Sequence, residues 1–390
     1  MHQAMQVLEQ WAAKWRLSFG FGDDKTAVMS FFGGPREGPS PFTLAGRVLP
    51  FVPEYKYLGV TIDLRFTFHS HLARAVDVSR RKFFSTCSWA RREHLHLGIL
   101  AHIVASYVVP AVLFGSELCF DSRARMRTLD IAQRSIGRML LRSSTAPNLV
   151  VLGDLAWRPW SSLATERAAG LFARLLCADP SRLVSRIAHY ALHAPGSWTS
   201  AVATQLGLQD AAAFGLVPGS ARSVSNRFMQ RVLRPRLINA DLASWHASLQ
   251  AASDSGLAVY RAVMNAPHLA SVHGHRSSPA QAAAWSRLRS GSSCLGGHRA
   301  RRHASGASCC SLCSHADGGT WHVLASCPAL CAARSTWWSH VGGCFSELSP
   351  DEVPPLQLLA WLFDDHAAAG TVAAHAQFAR RIELAHDGCP

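Results

Sequence analysis

The sequence predicts a mainly α-helical protein with a small N-terminal α+β region and a C-terminal zinc knuckle. Strand-like patterns are confined to about the first 65 residues, and apolar residues recur at helical spacing over most of the remainder. Cysteine and histidine residues near the C-terminus have the spacing of metal ligands. A chain of 390 residues with 48% hydrophobic content is long enough for two or three packed domains.

The N-terminal region begins with a predicted amphipathic helix over residues 2–17. One face of it carries Leu8, Trp11, Ala12 and Trp15. Because the chain starts within this element, we expect a domain that is cut at its N-terminus. Strands are predicted over 25–32, 42–51 and 57–63, and Gly59 within the last pattern indicates a bulge or a close backbone approach.

Helices dominate from residue 66 onward. The spacing predicts a long helix over 68–92, followed by an apolar helix over 97–114 that is kinked at Pro110. Further helices are expected over 123–142, 150–192 and 227–290. A linker is expected at 143–148 and loops at 193–200 and 217–226. The apolar run 99–114 is shorter than the roughly 20 residues that span a membrane, so a buried helix is expected there.

The helix over 123–142 has one face of arginines and an opposite face of apolar residues. At about 100° per residue, five arginines share about 100° of arc: Arg123, Arg127, Arg134, Arg138 and Arg142. The apolar side consists of Met126, Leu129, Ala132, Ile136, Met139 and Leu140. Five like charges repel one another unless an anion is near, which favours phosphate binding. A solvated face of a core-packed helix is the alternative.

The overall charge favours a polyanionic partner. Lys and Arg number 39 against 25 Asp and Glu, a net charge of +14, which points to nucleic acid first and an acidic membrane surface second. Residues 290–308 form a predicted basic linker with Arg299, Arg301 and Arg302, which suits a nucleic-acid tether or an ordinary solvated linker.

The predicted zinc ligands are Cys310, Cys313, His322 and Cys327, a CCHC pattern. Zinc takes sulfur and nitrogen donors in tetrahedral geometry, and four protein ligands leave no open position, so the ion would be structural. Cys309 could replace Cys310, and His315 or Cys331 could intrude. Seven of the eleven cysteines lie within residues 294–344. A disulfide scaffold is normally a short secreted chain, whereas this chain is long and does not begin with a signal-peptide pattern. We therefore expect a reducing, intracellular location, nucleus or cytoplasm, and no secretion.

Four blocks along the chain carry a family resemblance. They are Leu8–Leu17 leading to Asp24-Lys25-Thr26, then Tyr57–Asp63, then Pro110–Glu117 with the arginine helix, and finally Leu288-Arg289 with the knuckle and Arg334. In this order they resemble the C-terminal half of a non-LTR (LINE-type) retrotransposon reverse transcriptase. The resemblance implies the end of the polymerase palm, a primer-grip turn, a thumb and a zinc knuckle.

The resemblance also implies roles for single residues. Lys25 matches a palm lysine that helps to protonate the leaving pyrophosphate, with a solvent-exposed strand lysine as the alternative. Tyr57, Leu58 and Gly59 match the primer grip, with an ordinary strand bulge as the alternative. The family's catalytic carboxylates lie upstream of the first block, so this chain alone is not expected to polymerise, and Mg²⁺ is expected only in a complete polymerase.

Two acidic motifs are not expected to hold metal. The Gly22-Asp23-Asp24 triplet imitates a polymerase motif but lies where the family has a turn. Asp351 and Asp364 imitate a restriction-like endonuclease, but the residues between them have a helical pattern.

We predict these regions: palm end 1–65, thumb-like bundle 66–148, helical connector 149–289, basic linker 290–308, knuckle 309–334 and helical tail 335–390. The predicted function is binding of RNA, DNA or their hybrid, without a membrane or a small-molecule substrate. The alternatives are a zinc-stabilised protein-interaction module and a remnant endonuclease.

Overall fold

The structure is a computed structural model that describes residues 2–21, 25–31, 39–92, 95–120, 123–252, 257–273, 277–298, 308–341, 359, 363 and 369–386. It is mainly helical with a small N-terminal β region, which confirms the predicted fold class. The helices are α1 His2–Lys14, α2 His69–Arg92, α3 Leu97–Ile103, α4 Val109–Leu113, α5 Arg123–Leu140, α6 Asn148–Asp154, α7 Trp160–Leu176, α8 Leu183–Leu192, α9 Trp198–Leu206, α10 Arg222–Phe228, α11 Arg234–Ala251, α12 Ala258–Val263, α13 Pro279–Arg289, α14 Cys331–Val341 and α15 Ala369–Ala385.

The β region consists of two separate antiparallel hairpins. The strands are β1 Pro39–Leu44 paired with β2 Arg47–Pro50, and β3 Glu54–Tyr57 paired with β4 Val60–Asp63. The continuous strands predicted over 42–51 and 57–63 are therefore wrong at their turns, where Ala45-Gly46 and Leu58-Gly59 take positive φ and reverse the chain. The strand predicted over 25–32 is reduced, within 25–31, to one bridge between Val28 and Phe51.

Helix α1 packs on the first hairpin with only one of the four residues on its predicted apolar face. Ala12 is buried, and the Glu9 carboxylate accepts a hydrogen bond from the amide of Ala45 at 2.5 Å. In contrast, Leu8, Trp11 and Trp15 are about half exposed. The buried core beneath the helix consists of Val28, Leu44 and Leu49, and Met5 of the helix packs against it.

The helix predicted over 97–114 contains a π-helical segment, Val104–Val108, between α3 and α4. The segment lies directly before Pro110. Proline has no N–H and its ring clashes with the carbonyl four residues earlier, so the regular hydrogen-bond ladder is interrupted there. Val104, Val108 and Val112 remain fully buried against α2 and α5. Among the described residues, no helix has the length and apolar content needed to cross a membrane.

The C-terminal helices and the predicted knuckle share one hydrophobic core. Trp285 of α13, Cys310 and Cys327 of the knuckle, Trp337 of α14 and Phe378 of α15 are all buried in it. Residues 290–298 of the predicted basic linker are packed beside this core rather than forming a solvated linker, and Leu295 and His298 are at most 1% exposed.

Two buried ion pairs join α13 to distant parts of the chain. Arg287 donates to the Glu383 carboxylate of α15, and Arg289 donates to Asp154 at the end of α6, at 2.5 Å. Arg287 also donates to the backbone carbonyl of Arg142, just after α5. The knuckle core is thereby connected to the helices that precede it in sequence.

Candidate metal centre and nucleic-acid interface

The structure brings the four predicted metal ligands together. The ligand atoms of Cys310, Cys313, His322 and Cys327 lie within 4.8 Å of one another. The Sγ atoms of Cys310 and Cys327 are 3.9 Å apart, and Cys313 Sγ is 3.1 Å from His322 Nε2. A tetrahedron with metal–sulfur bonds of about 2.3 Å has edges of roughly 3.8 Å. The cluster can therefore hold a metal ion with a closed set of sulfur and nitrogen donors.

Local backbone geometry positions these side chains. The Cys310 amide donates to the carbonyl of His315 at 2.8 Å, and Ser314, with φ of 60°, closes the turn by donating to the Cys310 carbonyl. His322 opens a π-helical segment that ends before Cys327. At Gly318 a Cβ atom would meet the Ser308 carbonyl oxygen at 2.6 Å, so glycine permits the two sides of the knuckle to approach.

The electrostatic environment differs among the three ligands whose pKa values are shifted. Burial opposes ionisation of Cys310, but hydrogen bonds from the backbone amides of Leu312 and Cys313 lower the pKa of its thiol overall. Burial raises the pKa of Cys327 to about 11. For His322, burial and then the neighbouring His315 lower the pKa, which keeps the imidazole neutral and its lone pair available.

The neighbouring candidates are placed differently. Cys309 and Cys331 are exposed, whereas Cys310 is 1% exposed, so the geometry favours Cys310 as the ligand. His315 stacks on His322 with ring centroids 4.4 Å apart, and so supports a ligand rather than replacing it. Arg334 donates to the Cys327 carbonyl at 3.0 Å and secures the end of the knuckle.

The predicted primer-grip residues form an exposed hairpin tip. Tyr57 pairs with Val60 across the two-residue turn, and Leu58 is 80% exposed. Gly59 has φ of 89°, and a Cβ atom there would lie 3.0 Å from the ring of Phe114. The turn is not the predicted bulge, but the predicted close approach is present because the hairpin touches the segment after α4.

A groove of about 520 Å³ lies beside this tip, between the hairpin, α2 and α4. Its lining includes the basic residues Lys56, Arg74 and Lys82 and the aromatic residue Tyr107. Lys82 Nζ lies over the Tyr107 ring, 4.1 Å from its centroid. The groove was not predicted from the sequence, although Arg74 and Lys82 are eight residues apart and therefore share one face of a helix.

The arginine face of α5 is only partly free. Arg123, Arg127 and Arg142 are exposed, whereas Arg138 donates to the Ala146 carbonyl and to Asn148 Oδ1. Burial, and secondarily the charge of Arg134, lower the pKa of Arg138.

The opposite face of α5 is buried, as its apolar pattern predicts, except that Met139 is 38% exposed. Met139 lies in the last turn of the helix, at the edge of the core.

The remaining predicted site residues are Lys25, which contacts strand β3, and residues outside the described part of the chain. Lys25 is exposed, and its carbonyl accepts a hydrogen bond from the Tyr55 hydroxyl. The predictions that fall outside the described residues are Arg299, Arg301 and Arg302 of the linker, Asp23 and Asp24, and Asp351 and Asp364 of the endonuclease alternative.

Comparison with known proteins found similarity to proteins of mobile elements. The chain matches no protein-family profile and no solved structure. It is similar to proteins of non-LTR retrotransposons, two of which are RNA-directed DNA polymerases, and this confirms the resemblance predicted from the sequence.

The individual relatives come from Drosophila mobile elements. The RNA-directed DNA polymerase from mobile element jockey of Drosophila melanogaster is 28% identical over 151 residues, which is 38% of this chain. The jockey polymerase of Drosophila funebris is 28% identical over 150 residues. A putative 115 kDa protein in the type-1 retrotransposable element R1DM is 28% identical over 174 residues, or 43% of this chain. Each match covers 16% of the relative's length.

Proposed function

We propose that this chain is a nucleic-acid-binding part of a retrotransposon RNA-directed DNA polymerase and that it holds an RNA/DNA hybrid or target DNA. The observation that carries the proposal is the basic groove beside the hairpin tip. The similarity to the jockey polymerases supports it.

The groove has the chemistry that a phosphate backbone requires. Its lining contains the cationic side chains of Lys56, Arg74 and Lys82 and no carboxylate. Arg74 reaches Glu54 outside the lining at 3.7 Å, with both side chains more than 40% exposed. An exposed pair of this kind contributes little stability, so Arg74 can exchange Glu54 for a phosphate. Tyr107 is 50% exposed and offers a ring to a sugar or base.

We propose that the cysteine–histidine cluster binds zinc and that the ion is structural. All four ligands come from the protein, and two of the three sulfurs are buried in the C-terminal core. Zinc binding by such a set is coupled to folding and contributes about 10–16 kcal/mol in isolated zinc fingers. The ion would hold the knuckle against α14 and α15.

The test is the salt dependence of binding to a fluorescently labelled RNA/DNA hybrid, measured by anisotropy. The logarithm of affinity should fall with the logarithm of salt concentration by roughly 0.7 to 0.9 per neutralised phosphate. The double variant Arg74→Gln/Lys82→Gln should weaken binding and reduce the slope by about two such contacts. Arg186→Gln, an exposed arginine on α8, is the matched control and should change neither.

A salt-independent affinity would overturn the proposal, and so would equal effects of the groove and control variants. We also predict that this chain alone does not extend a primer.

A protein-interaction role is the second candidate, and helix α8 favours it. One stripe of this helix exposes Leu183, Ile187 and Tyr190 to between 55% and 80%. Under this alternative, a binding partner would be retained at high salt and lost in Ile187→Asp, while the hybrid would bind only weakly.

A further inference from the structure

We infer that the cleft between α6 and α11 receives a single unpaired nucleobase from a nucleic acid whose backbone lies on the arginine face of α5. The inference rests on the proposed function and adds to it a preference for nucleic acid that contains an unpaired nucleotide. The cleft is separate from the groove beside the hairpin.

The cleft has the size and lining of a ligand site. Its volume is about 580 Å³, within the usual range for small-molecule pockets. The walls are mainly apolar and include the side chains of Leu152, Trp157, Ile238 and Leu242. Ile238 is 41% exposed, so part of the apolar wall is open to solvent. An apolar slot with an indole in its wall suits a flat aromatic ring.

The floor of the cleft is closely packed. Trp245 is 5% exposed, and its indole N–H donates to the Leu149 carbonyl at 3.0 Å. The same indole packs edge-on against Tyr260, with ring centroids 6.4 Å apart. At Gly153 a Cβ atom would meet the Tyr260 hydroxyl at 2.1 Å, so α6 lies directly on this pair of rings. A preformed floor reduces the ordering cost when a ligand enters.

The lining of the cleft also contains polar groups. Ser244 and Ser248, one turn apart on α11, are exposed and can hydrogen-bond to the edge of a base. The lining contains one carboxylate, Asp241, and this group is already engaged: Arg158 Nε and Ser162 Oγ donate to its Oδ2 at 2.7 and 2.8 Å. The cleft is therefore not a site for a basic ligand.

The positive charge at the opening of the cleft is that of Arg134, on the arginine face of α5. Arg134 lines the cleft, and within the described chain no carboxylate pairs with its guanidinium. One turn later, Arg138 donates to Asn148 Oδ1, and Asn148 also lines the cleft. A phosphate bound at Arg134 would place the adjoining nucleotide at the opening.

The positions of the arginine face and of the cleft explain why the base must be unpaired. The backbone can remain on α5, but a base can reach the indoles only if it leaves its duplex partner, as in other proteins that extrude bases into pockets. Stacking of one base on an aromatic side chain corresponds to roughly a tenfold gain in affinity.

The experiment compares two labelled RNA/DNA hybrids that differ by one unpaired adenosine bulge, using the full chain at constant salt. The bulged hybrid should bind about tenfold more tightly. With 2-aminopurine at the bulge, its fluorescence should be quenched on binding. Ser248→Trp places an indole in the opening from an exposed position and should remove the preference, and Trp157→Ala should reduce it. Ala247→Trp, an exposed neighbour outside the lining, should leave it intact.

The outcomes separate this inference from the proposed function. If both hybrids bind equally and with normal salt dependence, the base site is wrong and the nucleic-acid function remains. If Ser248→Trp and Ala247→Trp retain the preference equally, the cleft is not the site. If neither hybrid binds, the proposed function fails as well.

Discussion

The buried pair Arg289–Asp154 offers a direct test of how the C-terminal core is joined to the helices before it. Both side chains are 0% exposed, and Arg289 Nη2 lies 2.5 Å from Asp154 Oδ1. The Tyr260 hydroxyl donates to the same carboxylate oxygen at 2.9 Å, and the guanidinium lies over the Trp285 ring at 4.1 Å. We therefore expect Asp154→Asn, which preserves shape and removes the counter-charge, to destabilise the protein strongly.

The magnitude follows from burial. Breaking a buried ion pair by removing one partner costs about 3–5 kcal/mol, because the remaining charge keeps its desolvation penalty. Domains are commonly stable by about 5–15 kcal/mol, so Asp154→Asn should remove a fifth or more of the total. For domains of about 150–250 residues, 1 kcal/mol corresponds to roughly 2–4 °C in Tm, so the expected decrease in Tm is about 6–20 °C. Replacing both partners, Asp154→Asn with Arg289→Met, should recover most of the loss.

Thermal unfolding followed by circular dichroism, together with guanidinium titration, measures these changes as a double-mutant cycle. The control is Arg167→Met, which removes an exposed partner of Glu117 at 3.3 Å and should cost under about 1 kcal/mol. If the double variant loses the sum of the two single losses, Arg289 and Asp154 are not coupled and the reasoning is refuted.

The metal centre and one buried histidine give two further predictions. The purified chain should contain one zinc per molecule by mass spectrometry, and Cys313→Ser should lose it while Cys309→Ser, at the exposed neighbour, keeps it; loss in both variants would contradict the assigned ligands. Burial lowers the pKa of His375 from 6.5 to about 4, so the unfolded chain binds an additional proton between these values, and stability is complete above pH 6.5 and decreases as pH falls toward 4. The loss in the free energy of unfolding should reach about 3 kcal/mol. Denaturant titrations of the wild type and of His375→Gln at several pH values measure it. If the difference in unfolding free energy between the two proteins does not change with pH, His375 is not responsible.

The hairpin tip shows how far local patterns extend. Alternating residues predicted strand over 57–63, and glycine in that pattern predicted a close approach. The approach to Phe114 is present, 55 residues further along, but the strand is divided by a turn. A short apolar pattern contains the periodicity of a strand but not the point at which the strand reverses.

The arginine helix and the first helix show the same limit. Helical spacing predicted both elements correctly, because periodicity is a property of neighbouring residues. Spacing alone did not reveal that Arg138 would be held by Ala146 and Asn148, or that Trp11 would stay exposed. Those outcomes depend on which other segments are nearby and on how large a core they form.

The sequence by itself determined the mainly helical class, the four ligand types and their spacing, and the resemblance to retrotransposon polymerases, because all three are recorded in the order and spacing of residues. The tertiary structure alone selected Cys310 over the exposed Cys309, gathered Lys56, Arg74 and Lys82 into one groove, and paired Arg289 with Asp154 across 135 positions. Contacts at such separations require the chain's path through space, since burial and charge pairing are set by residues that are distant in sequence.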